Sequence, residues 1–354
     1  MNLVSIDPEK DTPAVERIKP ADQRVPGIDS GPSGTGKARR QESQAGGSDE
    51  TGPLQLEACD GGRLEVNAQF GDLLRAHRLE TCDAWFQLSS GDVVRKAGPR
   101  ETRRITLAGP SGSETLYLKR HESAPWRDRI MPWLHGARPI LGARNEWNAI
   151  LKFIAEGIPT MTPVACGQLG SRSLLVTQAL PAQCHLLEFV GGRELPEDAP
   201  ASQTLLRQTR TSLWIDPDHD GANPLNRAPE APTSLTVRDL LPQVARIARR
   251  MHAAGLQHQD FYLNHLLLCD EGPEPVVRVI DLGRVRRHDH LPLRWIVKDL
   301  AQLNFSARRL PCRERLRFLR LYLNRPFTPA DRRLVERIQR KSDRIAAHTR
   351  KHRL

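Results

Sequence analysis

The stretch His258-Gln-Asp260-Phe-Tyr-Leu-Asn264-His265-Leu-Leu-Leu268 concentrates carboxylate, imidazole and amide groups in one short segment. After the turn-rich Cys-Asp-Glu-Gly-Pro-Glu-Pro comes Val276-Val-Arg-Val-Ile280-Asp281-Leu-Gly283. Leu266–Leu268 and Val276–Ile280 are short apolar runs around a turn, which is the pattern of a β-hairpin. A hairpin returns the chain to its origin. Asp281 is therefore expected beside His265 and within reach of Asp260. Phosphoryl transfer needs such a grouping: one carboxylate orients the attacking hydroxyl and takes its proton, and another holds the magnesium that bridges the phosphates. Either aspartate alone reads as a turn cap. Their joint order and spacing favour chemistry.

Lys119 ends the apolar run Leu116-Tyr-Leu, and Glu146 lies at the edge of the apolar face of a following helix. A carboxylate buried there needs a partner, and Lys119 is the obvious one. In kinases this pairing sets the lysine on the nucleotide phosphates. A glycine-rich GxGxxG turn is missing near residues 93–104, where only Gly98 can serve in a phosphate-covering turn.

These residues need a small sheet followed by helices. Residues 66–78 are expected to be helical. Phe86–Leu88, Asp92–Arg95, Arg103–Leu107 and Thr115–Lys119 read as short strands separated by Ser-Ser-Gly, Ala-Gly-Pro and Gly-Pro-Ser-Gly-Ser turns. A helix is expected at Ala143–Ala155, stopped by Gly157 and Pro159, and two strands near Thr162–Gln168 and Ser173–Thr177. Beyond these, Val237, Leu241, Val244, Ala248 and Met251 have helical spacing, with Pro242 expected in a first turn. Sheet first and helices second predicts an α+β, two-lobed chain.

Composition bounds the rest. Of 354 residues, 38% are hydrophobic and 5% aromatic, and no apolar run approaches the ~18 residues of a membrane span. The N-terminus lacks the apolar centre of a signal peptide. The six cysteines form no CxxC pair and read as reduced cytosolic thiols. Residues 1–55 are expected to be disordered, since the first aromatic is Phe70 and the segment is rich in Pro and Gly. Gly31–Lys37 mimics a phosphate-binding loop, but Ala38 stands where Ser or Thr is needed and no strand precedes it. The proline-rich stretch 191–232 reads as an insertion, and Asp216–Gly221 within it mimics a calcium loop without its final Glu, Arg227 standing there. Residues 306–354 carry 16 basic against 4 acidic side chains, net +12 of the chain's +11, so the remainder is almost neutral. That segment suits an anionic partner. The scarcity of aromatics in it argues against nucleic acid.

Taken together, the segments Tyr117–His121, Leu141–Ile150, Gly157–Gly167, Met251–Leu268, Val279–His288 and Trp295–Ala307 resemble the lipopolysaccharide kinase (Kdo/WaaP) family, whose core heptose kinases share the protein-kinase fold. The resemblance spans roughly residues 62–325, and the HxDxYxxHxLL pattern at 258–268 is its most specific part. It implies a kinase N-lobe over residues 62–180, a C-lobe over 181–325 with the 191–232 insertion, and a basic helical segment over 326–354. It implies ATP and Mg2+ as cofactors, with Lys119 on the nucleotide phosphates, Glu146 paired to it, Asp260 as the base and Asp281 as a metal ligand. His265 stands where ordinary kinases place a metal-binding Asn, with Asn264 beside it as the other candidate. Asp299 is expected to support the catalytic segment from a following helix. Gln259 replaces a frequent Arg, so a phosphorylated activation loop is not expected. The implied acceptor is a heptose- or Kdo-like sugar hydroxyl of lipopolysaccharide core or a related glycolipid. The implied location is cytoplasmic, peripheral on the inner face of the cytoplasmic membrane. Rival readings are a kinase-fold enzyme with a protein or soluble metabolite as acceptor, and a non-catalytic kinase-like binding protein.

Overall fold

A computed structural model describes residues 54–110, 112–122, 142–191, 235–272 and 274–352. Of the segment expected to be disordered, 1–53 lies outside the described residues, as does the insertion from 192 on. The phosphate-loop and calcium-loop mimics fall there too.

The described chain opens on β1 (Leu56–Cys59) and β2 (Leu64–Asn67), short helices α1 (Gly71–Ala76) and α2 (Cys82–Gln87), then β3 (Asp92–Ala97), β4 (Arg100–Gly109) and β5 (Gly112–His121). Helix α3 (Arg144–Ala155) precedes β6 (Pro163–Leu169) and β7 (Arg172–Gln178). The seven strands form one antiparallel sheet in the order β1-β2-β6-β7-β5-β4-β3. Its core packs Leu64, Trp85, Ile105, Leu116, Leu118, Val164 and Val176. Residues alternate across a strand. With Leu116 and Leu118 on the core face, Lys119 is sent to the other one.

Two elements differ from the sequence expectation. Phe86–Leu88 closes α2 and its C-cap instead of forming a strand. Thr81 Oγ1 accepts the Ala84 N–H at 3.2 Å, and Trp85 buries completely, so a cap and an anchor outweigh the local β pattern. The helix expected over 66–78 is shortened because Leu64 and Val66 are buried on β2 as it pairs with β6, and Asn67 caps the next turn.

The second half holds β8 (Ala182–His185), α4 (Leu186–Gly191), α5 (Val237–Ala253), β9 (Leu256–Gln257), β10 (Leu266–Cys269), β11 (Val276–Val279) and β12 (Arg286–Arg287). Helices α6 (Leu293–Ser306), α7 (Cys312–Leu323) and α8 (Arg332–His352) complete it. The expected hairpin is β10–β11, with Leu266 opposite Val279, and β8 flanks β10. Helix α5 runs unbroken through Pro242, because a Thr236–Asp239 capping box starts it earlier than the proline suggests. Leu240, Val244, Ile247, Ala248 and Met251 bury on the core made with α3 and the hairpin. Helices α6, α7 and α8 share a further cluster around Val297, Leu300, Leu319 and Ile338. The architecture is the two-lobed α+β arrangement, an antiparallel sheet lobe followed by a mainly helical one.

Candidate active site

Lys119 lies on β5, between β4 and β7, where Thr102 and Leu175 are its register partners. Its Nζ stands 2.6 Å from Glu146 Oε1, with the two side chains 15% and 6% exposed. Desolvation opposes the ammonium charge, but Glu146 and Asp281 outweigh it and hold Lys119 above the usual lysine range. Glu146 sits in the first turn of α3, pinned by its neighbours. Trp147 is fully buried and donates Nε1–H to Glu65 at 2.8 Å, and Asn145 Nδ2 donates to the Gly283 carbonyl at 2.8 Å and the Val285 carbonyl at 3.3 Å. Helix α3 thus ties the Lys119 pair directly to the loop after Asp281.

The hairpin brings the second group together. His265 ends a short 3-10 turn before β10, and its backbone carbonyl accepts the Ile280 N–H at 3.0 Å, which sets Asp281 beside it. His265 Nδ1 donates to the Asp260 carbonyl at 2.7 Å. That bond puts a proton on Nδ1 and turns Nε2 toward Asp281. Nε2 lies 3.5 Å from Asp281 Oδ2. With a cation in place of a proton on Nε2, the two atoms would face it together, and Asp281 remains 53% exposed toward solvent. Burial works against the Asp281 carboxylate, but His265 and Lys119 outweigh it and keep its pKa low, so the oxygen is available as an anion. Among the described residues no group of three His, Cys, Asp or Glu side chains is placed to cage a metal. A magnesium ion needs no such cage where substrate phosphates and water supply most ligands. Asn264 is buried, with its backbone carbonyl accepting from His185 Nδ1 at 2.8 Å, while His265 faces Asp281 at 3.5 Å.

Asp260 belongs to a segment held from α6. Asp299, fully buried, accepts the N–H of His258 at 2.8 Å and of Gln259 at 3.1 Å. Gln302 accepts the Phe261 N–H at 3.2 Å and donates to the Gln259 carbonyl at 2.5 Å. Ser306 Oγ accepts the Leu263 N–H at 3.0 Å. Gln259 has φ of +74° and Asp281 +58°, left-handed conformations that cost a non-glycine residue about 1–3 kcal/mol and persist only when neighbours fix them. His258 is enclosed, donates Nε2–H to the Ile280 carbonyl at 3.2 Å and accepts the Asp260 N–H on Nδ1 at 3.3 Å. It links the two aspartate-bearing turns through its ring. Burial, with the nearby His265, holds its pKa below the usual imidazole range.

The structure therefore gathers Lys119, Glu146, His265 and Asp281 into one connected set, with Asp260 joined to it through its own carbonyl. Sequence reading passed over Asn145, Gln302, Ser306 and Arg284. Of these, Arg284 contacts the Asp260 carboxylate directly. Its position directly after Asp281-Leu-Gly was the available signal, because a hairpin that returns Asp281 to the site must also bring the next side chains. Gly98 sits in the turn between β3 and β4 with φ of +55°, where a tight hairpin needs positive φ.

The profile of the lipopolysaccharide kinase (Kdo/WaaP) family matches residues 223–331. A Pseudomonas aeruginosa protein named lipopolysaccharide core heptose(I) kinase WaaP is 34% identical over 242 residues, covering 67% of this chain and 78% of that protein. An Escherichia coli protein of the same name is 31% identical over 242 residues, covering 67% and 79%. A solved structure, WaaP in complex with acyl carrier protein, superposes with a TM-score of 0.54 at 29% identity, covering 80% of this chain and 98% of that one. With the site built on the same catalytic segment that the profile spans, the chain belongs to the lipopolysaccharide kinase (Kdo/WaaP) family.

Proposed function

We propose that this protein is an ATP- and Mg2+-dependent kinase that phosphorylates a sugar hydroxyl, heptose- or Kdo-like, of lipopolysaccharide core or a related glycolipid. The observation that carries the reading is the Lys119–Glu146 ion pair set against the His265–Asp281 pair, with Asp260 on the segment between. Lys119 holds the nucleotide phosphates, and Glu146 keeps its ammonium aimed. Asp281 and His265 hold the metal, which neutralises phosphate charge when bound. Asp260 orients the acceptor hydroxyl and takes its proton. The acceptor class is carried by the relatives' heptose kinase activity, which favours a core sugar over a protein or soluble metabolite.

ATP turnover with heptosyl lipid acceptors tests this. The wild type should transfer phosphate to the sugar. Asp260→Ala should abolish transfer while leaving nucleotide affinity within about threefold, because it addresses the hydroxyl alone. Turnover of Asp260→Ala within about tenfold of wild type, a barrier change of only ~1.4 kcal/mol, would show that Asp260 is not the base.

A second reading concerns a partner. Between α4, α5, α6, α7 and α8 lies an apolar cavity of about 130 Å³, walled by Leu240, Val244, Leu263, Leu303, Leu319 and Ile338. The solved relative assembles with an acyl carrier protein. A carrier of that kind presents an acyl chain, and a cavity of this lining suits one. Co-purification of an acylated carrier, lost in Val244→Trp, supports the reading; a cavity that stays empty of lipid by native mass spectrometry opposes it.

Among the described residues no helix is long and apolar enough to cross a membrane. The basic outer face of α8 instead suits peripheral contact with an anionic leaflet, on the cytoplasmic side where ATP is available. Arg332, Arg333, Arg337, Arg340 and Arg344 are all exposed there.

A further inference from the structure

The segment His258–Leu268 contains no lysine or arginine. Lys119 is committed to Glu146 on the nucleotide side. Yet a phosphoryl group in transfer spreads negative charge over three equatorial oxygens, and the side facing the acceptor must be neutralised as well. Arg284, on the loop after Asp281, reaches the carboxylate of the base. Its Nη1 lies 3.0 Å from Asp260 Oδ1 and 2.9 Å from Oδ2. Only this one nitrogen touches the carboxylate. Nε and Nη2 make no hydrogen bond among the described residues, and the side chain is 58% exposed. A guanidinium offers five donors in a planar fork, so one edge can stay on Asp260 while the other takes a second anion.

The loop that carries Arg284 is fixed. Gln259 Nε2 donates to the Arg284 carbonyl at 2.7 Å, and Asn145 holds the carbonyls on either side, those of Gly283 and Val285. An exposed Arg–Asp pair contributes only about 0–1 kcal/mol to stability, which is little return for anchoring a loop at three successive carbonyls. Lys298 on α6 adds a second positive charge. It is half-buried, stacks at 6.0 Å from the Trp295 ring, and has no carboxylate within ion-pair distance among the described residues. Burial first, and the Arg284 charge second, push its pKa below the usual lysine range. A second anion at this point relieves both cations.

We propose that Arg284 is a catalytic residue whose guanidinium bridges the Asp260 carboxylate and the phosphoryl group in flight, an arginine finger supplied in cis by the loop after Asp281. In that step the acceptor oxygen forms its bond to Pγ. The bond from Pγ to the β,γ-bridging oxygen breaks, and ADP leaves with the electron pair. The hydroxyl proton passes to Asp260. Arg284 neutralises the equatorial oxygens while keeping the base in place. This rests on the kinase reading of the site but adds a group that the reading does not require.

Two measurements on the full-length protein test it. In the first, Arg284→Ala is compared with wild type for binding of ADP alone and of ADP with Mg2+ and aluminium fluoride, a mimic of the transferring phosphoryl. The analogue should weaken by about 10²-fold or more, as for loss of one transition-state donor, and ADP by less than about threefold. In the second, turnover of Arg284→Ala on a heptosyl lipid acceptor should fall by about 10³-fold, partly restored by added guanidinium ion, which should not rescue Asp260→Ala. Equal changes in analogue and ADP binding, or a turnover loss that guanidinium leaves untouched in a protein of wild-type thermal stability, would overturn the proposal. The analogue arm needs no acceptor. A wild type inert on every core sugar, with analogue binding lost in Arg284→Ala, would therefore refute the acceptor and leave the role of Arg284 standing.

Discussion

Asp299→Ala should damage stability and catalysis together. The side chain is fully buried on α6 and accepts two backbone N–H groups, from His258 and Gln259. Removing it orphans both donors, at about 1–3 kcal/mol each. It also removes the restraint on Gln259, whose left-handed backbone itself costs about 1–3 kcal/mol and is otherwise fixed by Gln302 and by its own side chain. Relief of the carboxylate's own desolvation offsets part of this. A net loss of about 2–4 kcal/mol is expected, a fall of roughly 3–6 °C in Tm for a chain of this size. In the surviving folded fraction the turn before Asp260 shifts, and a displacement near 1 Å costs about 10²-fold in rate. Asp299→Asn keeps one acceptor oxygen and should recover about half of the stability. Urea unfolding read by tryptophan fluorescence, with turnover on the same samples, makes the comparison. An Asp299→Ala protein within about 0.5 kcal/mol of wild type and fully active would refute the idea that α6 holds the catalytic turn.

Lys119→Ala and Glu146→Ala should each cost nearly as much turnover as the double variant, because they act as one unit on the phosphates; simple additivity in logarithm would break the pairing. Asp331 is held well below the usual carboxylate range by Arg325, first, and by the Thr328 N–H and hydroxyl. A depressed pKa stabilises fully above the unfolded value, ~3.9, and that contribution shrinks progressively as pH falls from there toward the lower folded value. Thermal melts of wild type and Asp331→Asn should therefore differ by a constant amount above about pH 5 and draw together steadily as pH falls below about 4; a difference unchanged between about pH 5 and about pH 2 would contradict the linkage. Sedimentation with anionic vesicles should be salt-sensitive and fall when Arg332, Arg333, Arg337, Arg340 and Arg344 become Gln, at up to ~1 kcal/mol per charge; equal binding to neutral vesicles would leave that face as solvated surface.

The hairpin was readable because two apolar runs flank a dense turn, and its closure alone predicts that His265 meets Asp281. Helix α3 was readable from Trp147, Ile150 and Ile154, although Ile154 proves exposed and Phe153 takes the buried position. What escaped was long-range or context-bound. The exposed residues of β1 carry no burial pattern, and that strand exists because β2 offers it an edge. The aromatic Phe86 reads as β-prone in isolation, while the Thr81 cap at the start of the helix decides for helix. Arg284, Gln302 and Ser306 act across about 24 to 43 positions, which no local period can reveal.

Helix α8 ends the described chain, yet its Ile338 buries among side chains that include Val297 and Leu300 of α6. Helix α6 in turn carries Asp299, Gln302 and Ser306, which grip the catalytic segment. Helix α8 is thus mechanically upstream of the chemistry. A premature stop near residue 330 should leave a protein whose catalytic letters are all intact and whose activity is gone. Such an allele would be scored as harmless by a motif search and as null by a phenotype. It also means that the proposed membrane contact of α8 is to be tested by recharging its outer arginines, since cutting the helix away removes the floor beneath the active site.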